Sequence, residues 1–219
     1  KEIESASVVV ANHALLLSDL RMENSTLGEY DYLVIDEAHN LMGSASKHLG
    51  SAISYTDVAV LFNQISSSSK KHRSGYLQQL VKTLDKSVLS EEKKHQCKAQ
   101  AERLEQLIDA SRPLLMDIFN LAAARCSAAD SYNKLRIKDI AEVADIFKLL
   151  KTFSLEFKEI AKAIAALHNI LSSFDAAQIP GYDALSENLE SFAMRFSEME
   201  GVILTIINPD LDEYALWLA

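Results

Sequence analysis

Glycine and proline are scarce in this 219-residue chain, with six of the first and three of the second. Between Tyr76 and Pro180 there is no glycine, and Pro113 is the only proline. That stretch therefore cannot contain many sharp turns, and it favours long helices. No glycine is followed by lysine, which excludes a phosphate-binding loop of the GK[ST] kind from these residues. The two cysteines, Cys97 and Cys126, are far apart and have no partner at metal-ligand spacing. A CxxC site and a disulfide framework are both excluded, so the thiols read as packed or exposed side chains. No apolar run is long enough to span a bilayer, and no basic-then-apolar leader opens the chain. A cytoplasmic monomer without a membrane partner is the default expectation. An excess of positive charge is missing too: the net charge is −9. Residues 1–50 contribute −5 and residues 51–219 contribute −4. Neither part can hold nucleic acid by bulk charge, so any such contact must be local.

The first fifty residues alternate in character. Ser7–Ala11 (SVVVA) is a β-branched run suited to a buried parallel strand. Asn12 follows and can cap a helix over His13–Leu20. After a polar loop, Tyr30–Asp36 (YDYLVID) reads as a second strand, and a helix is expected over Ala38–Leu49. Strand, helix, strand, helix at this spacing implies parallel strands of an open sheet.

Beyond about Ile53 the pattern becomes helical. Thr56–Ile65 reads as a short helix and Ser66–Gly75 (SSSSKKHRSG) as a polar loop. Lys70, Lys71 and Arg73 in that loop are candidates for touching a DNA backbone, although such loops are ordinarily just solvated. Ser90–Ala110 and Pro113–Cys126 read as two helices, divided or kinked at Ser111–Pro113. A long helix is expected from about Lys138 to Leu171. Its apolar stripe is Ile140, Val143, Phe147, Leu150, Phe153, Phe157, Ile160, Ile164, Leu167 and Leu171. A last helix starts near Pro180 with Tyr182, Leu185, Leu189, Phe192, Phe196, Met199 and Ile203 on one face. Four antiparallel helices can bury such stripes against one another. Glu213–Ala219 (EYALWLA) can form a strand. The fold class expected is an α-rich α/β chain: a partial parallel sheet with a large helical-bundle insertion.

Chemistry concentrates in Leu33–His39 (LVIDEAH). An apolar strand ending at Asp36 delivers a carboxylate to the carboxyl edge of a sheet, where open α/β sheets bind ligands. A strand-end Asp can hold Mg²⁺ beside nucleotide phosphates, commonly through water. Glu37 beside it can orient and deprotonate an attacking water. His39 occupies the same corner. The bland alternative is that Asp36 caps a helix and Glu37 is merely solvated in its first turn.

The segments VVVANHALLLSDL and YDYLVIDEAHNL, separated by a loop, together resemble the DinG/XPD family of superfamily-two DNA helicases, its bacterial DinG-like branch best. The resemblance implies that residues 1–52 are part of a RecA-like first motor domain. Residues 53–210 would be a helical arch insertion, and 211–219 a strand returning to the motor. It implies Asp36 as the Mg²⁺ carboxylate, Glu37 as catalytic base, and His39 as the link between hydrolysis and DNA movement. Asp36 and Glu37 would face ATP. Asn12 and His13 match the segment that precedes the acidic box, although Asn12 serves equally well as a plain helix cap. The implied partner is single-stranded DNA, moved 5′ to 3′ in repair or replication. Many members carry an iron–sulfur cluster whose cysteines lie ahead of the Asn-His segment. Cys97 and Cys126 do not match those ligands. With no phosphate loop, the chain is expected to be inactive alone and to act as part of a longer ATP hydrolase. The competing reading is a non-catalytic helical interaction module.

Overall fold

The computed structural model describes residues 6–22, 26–28, 30–69, 72–128, 134–209 and 215–218. The chain divides into two compact units, residues 1–52 and 53–219.

In the first unit, Asn12 caps helix α1 (His13–Arg21), accepting a hydrogen bond from the Leu15 N–H at 2.8 Å. Leu16 and Leu17 of α1 are buried. Residues 32–35 adopt no regular secondary structure, a 3-10 turn covers Ala38–Asn40, and helix α2 follows at Leu41–His48. The expected parallel sheet is absent from the described residues: neither 7–11 nor 30–36 joins a ladder. The side chains that would face a sheet's covering layers remain in solvent, with Val10 94% and Val34 92% exposed. The local propensity is that of a strand. A strand, however, is completed only by a neighbour that takes its N–H and C=O groups, and the described residues of the unit supply none.

The second unit is a helical bundle. It contains α3 (Tyr55–Ile65), α4 (Tyr76–Lys86), α5 (Glu91–Ser127), α6 (Ala144–Ser172) and α7 (Tyr182–Ile207). Ser54 starts α3 by accepting from the Asp57 N–H while donating to its carboxylate. Helices α5 and α6 run antiparallel: Gln100 near the start of α5 donates to the Ala163 carbonyl, and Arg125 near its end pairs with Asp145. The return to α7 is marked by His168 beside Ser186. Of the ten stripe residues expected on α6, all but Ile140 are buried, and Ile140 packs partly against the core. The α6 helix starts at Ala144, not Lys138, because Asp139 accepts from the Ala141 N–H and holds Ile140–Val143 in a 3-10 turn. At the centre the Phe157 ring lies 4.5 Å from Phe196 and 5.6 Å from Phe153, centroid to centroid.

Pro113 does not divide α5, which runs unbroken through 37 residues. A proline inside a helix costs about 3 kcal/mol. Leu104, Ile108, Leu115 and Ile118, on both sides of it, are buried, and each such burial contributes about 1.5–3 kcal/mol. Pro113 itself faces solvent, so the helix is carried past it.

The Ser66–Gly75 segment forms a short antiparallel hairpin, β1 (Ser67–Ser69) with β2 (His72–Ser74), where a loop was expected. Lys70 and Lys71 lie outside the described residues, as does the side chain of Arg73. Gly75 closes this hairpin onto α4 at φ +116°, and a Cβ there would sit 2.8 Å from the Ile65 carbonyl oxygen. A strand does form at the chain's end, β4 (Leu216–Leu218). Its partner is β3 (Leu135–Ile137) of the bundle, antiparallel, with Arg136 opposite Trp217. Among the described residues no helix is long and apolar enough to cross a membrane.

Candidate functional site

Every residue singled out for chemistry lies in the first unit. Helix α1 begins at His13 because Asn12 caps it, which puts the imidazole at the helix's first position. The His13 Nε2 lies 3.0 Å from the Asp36 carbonyl oxygen. A carbonyl oxygen can only accept, so Nε2 carries the proton and donates. The structure thus joins two segments 23 residues apart through one side chain.

At the other end of that bond the backbone turns abruptly. Asp36 Oδ1 accepts the Glu37 N–H at 2.9 Å. Glu37 adopts φ 49°, ψ 42°, the left-handed conformation, and is the only non-glycine among the described residues with positive φ. For an L-residue this costs roughly 1–2 kcal/mol. The turn continues into Ala38–Asn40, closed by the Asn40 N–H on the Glu37 carbonyl at 2.9 Å. This brings His39 Nδ1 to 3.2 Å from Glu37 Oε2. All three side chains of Asp36, Glu37 and His39 are exposed. The structure therefore brings Asp36, Glu37, His39 and His13 into one corner. It leaves Asn12 with a cap's role, while Lys70, Lys71 and the side chain of Arg73 lie outside the described residues. Among the described residues no group of three or more His, Cys, Asp or Glu is arranged to hold a metal ion.

Asp19, which sequence reasoning missed, also shapes this unit. It is 1% exposed, and its Oδ1 accepts from the Thr26 N–H at 2.6 Å and the Leu27 N–H at 3.0 Å. The carboxylate ties the segment after α1 back to the helix. An aspartate set among Leu16, Leu17 and Leu20 was the signal available in the sequence. Cys97 and Cys126 are both buried on α5, 29 residues apart, which is roughly 43 Å along a helix. They cannot ligate a common cluster. Burial pushes the Cys97 thiol up to about 11, which keeps it protonated and inert.

No protein-family model matches the chain, and no solved structure matches it. Among curated proteins, "3'-5' exonuclease DinG" of Bacillus subtilis (strain 168) is 35% identical to it over 60 residues. Those residues are 27% of this chain and 6% of that protein, so the chain spans only a small part of the relative it matches. The finding is at most a DinG-like relationship over a short stretch.

Proposed function

We propose that this chain works within a longer, DinG-like ATP-dependent DNA helicase, coupling Mg-ATP hydrolysis to 5′-to-3′ movement on single-stranded DNA in repair or replication. The observation that carries the reading is the His13–Asp36 hydrogen bond. It holds the Asn-His segment and the acidic turn together, the same two segments on which the resemblance rests. The short similarity to a DinG protein supports the same reading.

In this reading Asp36 is the carboxylate that holds Mg²⁺ through water. One exposed carboxylate suits that ion, which keeps several waters and takes one or two carboxylates together with substrate phosphates. Bound Mg²⁺ would offset charge on the phosphates. Glu37 is the base. Its side chain is exposed, and His39 engages Oε2. The second oxygen is then free to take a proton from water. His39 couples the state of this corner to DNA movement. The bundle, residues 53–210, acts as an arch that helps enclose the strand. The phosphate-binding loop has to come from residues other than these 219. No residue here fits an iron–sulfur cluster.

The test uses the full-length protein with Glu37→Gln. DNA-stimulated ATP hydrolysis is expected to fall by about 100-fold or more with nucleotide binding retained, since only the base is lost. Turnover at the wild-type rate overturns the assignment. The relative's name supplies a second reading, a 3′-to-5′ exonuclease. Loss of single-strand degradation in this variant, with ATP turnover intact, would favour it.

A further inference from the structure

Charge is divided far more unevenly along this chain than its total suggests. Residues 66–98 hold eight of the 22 lysines and arginines but only three of the 31 acidic residues. That stretch is net +5 while the remainder is net −14. It comprises the β1–β2 hairpin, α4 and the first two turns of α5. Two of its three acids already have partners within it. Asp85 pairs with Lys98 at 2.5 Å, which holds the Lys98 ammonium above its ordinary range, and Glu91 pairs with Lys94 at 2.9 Å.

Lys82 and Lys86 differ from these pairs. They are one turn apart on α4, about 6 Å along the axis, both exposed and in no ion pair among the described residues. They line a shallow groove of about 360 Å³ together with Ser74, Gly75, Gln78, Gln79 and Thr83. Its walls carry no carboxylate. The opposite face of α4 is fixed in the core through Leu77, Leu80 and Leu84, so the groove is presented on a rigid helix.

We propose that this face of α4 is a contact surface for the phosphate backbone of single-stranded nucleic acid. Lys82 and Lys86 neutralise two successive phosphates, and the amides of Gln78 and Gln79 and the hydroxyl of Thr83 bond the sugars and base edges between them. A protein acidic overall needs such a local strip, because long-range repulsion between it and the phosphates works against binding. The inference rests on the helicase reading for its ligand and adds the surface. It concerns binding without ATP and so fails or stands separately from Glu37.

The 219-residue chain should be titrated with fluorescently labelled oligothymidylate at several salt concentrations, reading anisotropy. Each phosphate contact on a single strand contributes about 0.7 to the slope of log K against log salt. Lys82→Gln with Lys86→Gln is expected to shallow the slope by about 1.4. Lys148→Gln with Lys151→Gln, exposed on α6 and of equal charge change, is expected to leave it unchanged. Circular dichroism confirms that both variants keep their helices. Three results overturn the proposal: no binding at low salt, an equal effect of the α6 pair, or polyglutamate competing as well as unlabelled oligothymidylate at equal charge. The last would show a surface for acidic protein.

Discussion

The two units of this chain use apolar residues in opposite ways. In residues 53–219 nearly every residue of the α6 and α7 stripes is buried. In residues 1–52 the β-branched runs are in solvent, with Val8 79% and Tyr32 91% exposed, and Leu16 and Leu17 are the buried apolar side chains among the described residues. The difference follows from where each element finds its hydrogen bonds. A helix satisfies its own backbone and needs a neighbour only for its stripe, which a second helix of the same unit provides. A strand needs another strand for its backbone before either face can be covered. The bundle therefore carries its own stability. The unit with the candidate site holds its shape through specific polar ties: the Asn12 cap, His13 on Asp36, and Asp19 on Thr26 and Leu27.

The sharpest way to break this contrast is to remove the centre of the bundle. Phe157 is fully buried and its ring stacks on Phe196 and Phe62. Phe157→Ala should cost about 3–5 kcal/mol, since a large ring cannot be replaced by collapse of well-packed helices. Denaturant melts followed by helical circular dichroism measure it. Amide exchange in α1 should stay unchanged if the two units draw stability from separate sources. A parallel loss of protection in α1 would show that they do not.

How much was legible in the sequence divides along the same line. The α6 and α7 stripes could be read because a helix's periodicity is a property of the segment itself. Phe147, Phe157 and Leu189 are buried where the pattern placed them. The β1–β2 hairpin could not, because a run of serines carries no alternation of apolar and polar residues. Nor could the partner of Leu216–Leu218, since a pattern of two names a strand without naming its neighbour. In the candidate site, Asp36, Glu37 and His39 announced themselves as a motif. Their arrangement did not: the left-handed Glu37 and the reach of His13 to the Asp36 carbonyl are tertiary facts. Of the two readings at Ser111–Pro113, division of the helix was wrong, because proline's cost was weighed without the burial on either side of it.

A smaller effect is expected at the joint between the hairpin and α4. Gly75 has φ +116° with an extended ψ of −179°, a region essentially reserved for glycine. Gly75→Ala adds a methyl 2.8 Å from the backbone oxygen of Ile65, which cannot swing aside as a side chain could. The strain alone is worth about 1–3 kcal/mol, measurable as a lower denaturation midpoint with an unchanged slope. Because Gly75 also lines the groove with Lys82 and Lys86, the variant should weaken oligothymidylate binding less than the double lysine variant does. A stability indistinguishable from wild type would mean that the hairpin can re-form elsewhere.

The smallest effect distinguishes two roles for Asn12. The side chain accepts from the Leu15 N–H at 2.8 Å, the geometry of a helix cap. If capping is its whole contribution, Asn12→Ala should cost about 1 kcal/mol, and Asn12→Ser should restore most of it because a hydroxyl accepts from the same N–H. The readout is hydrogen exchange at Leu15 and Leu16, the amides nearest the cap. A loss of 1 kcal/mol corresponds to roughly fivefold faster exchange through local opening. The helix in question starts with His13, so fraying its first turn also loosens the tie to Asp36. Faster exchange should then extend to Glu37 and Asn40, whose N–H groups close the acidic turn. Acceleration confined to α1 would show that the turn holds itself without His13. Equal acceleration in the alanine and serine variants would mean that the amide of Asn12 does something a cap does not require.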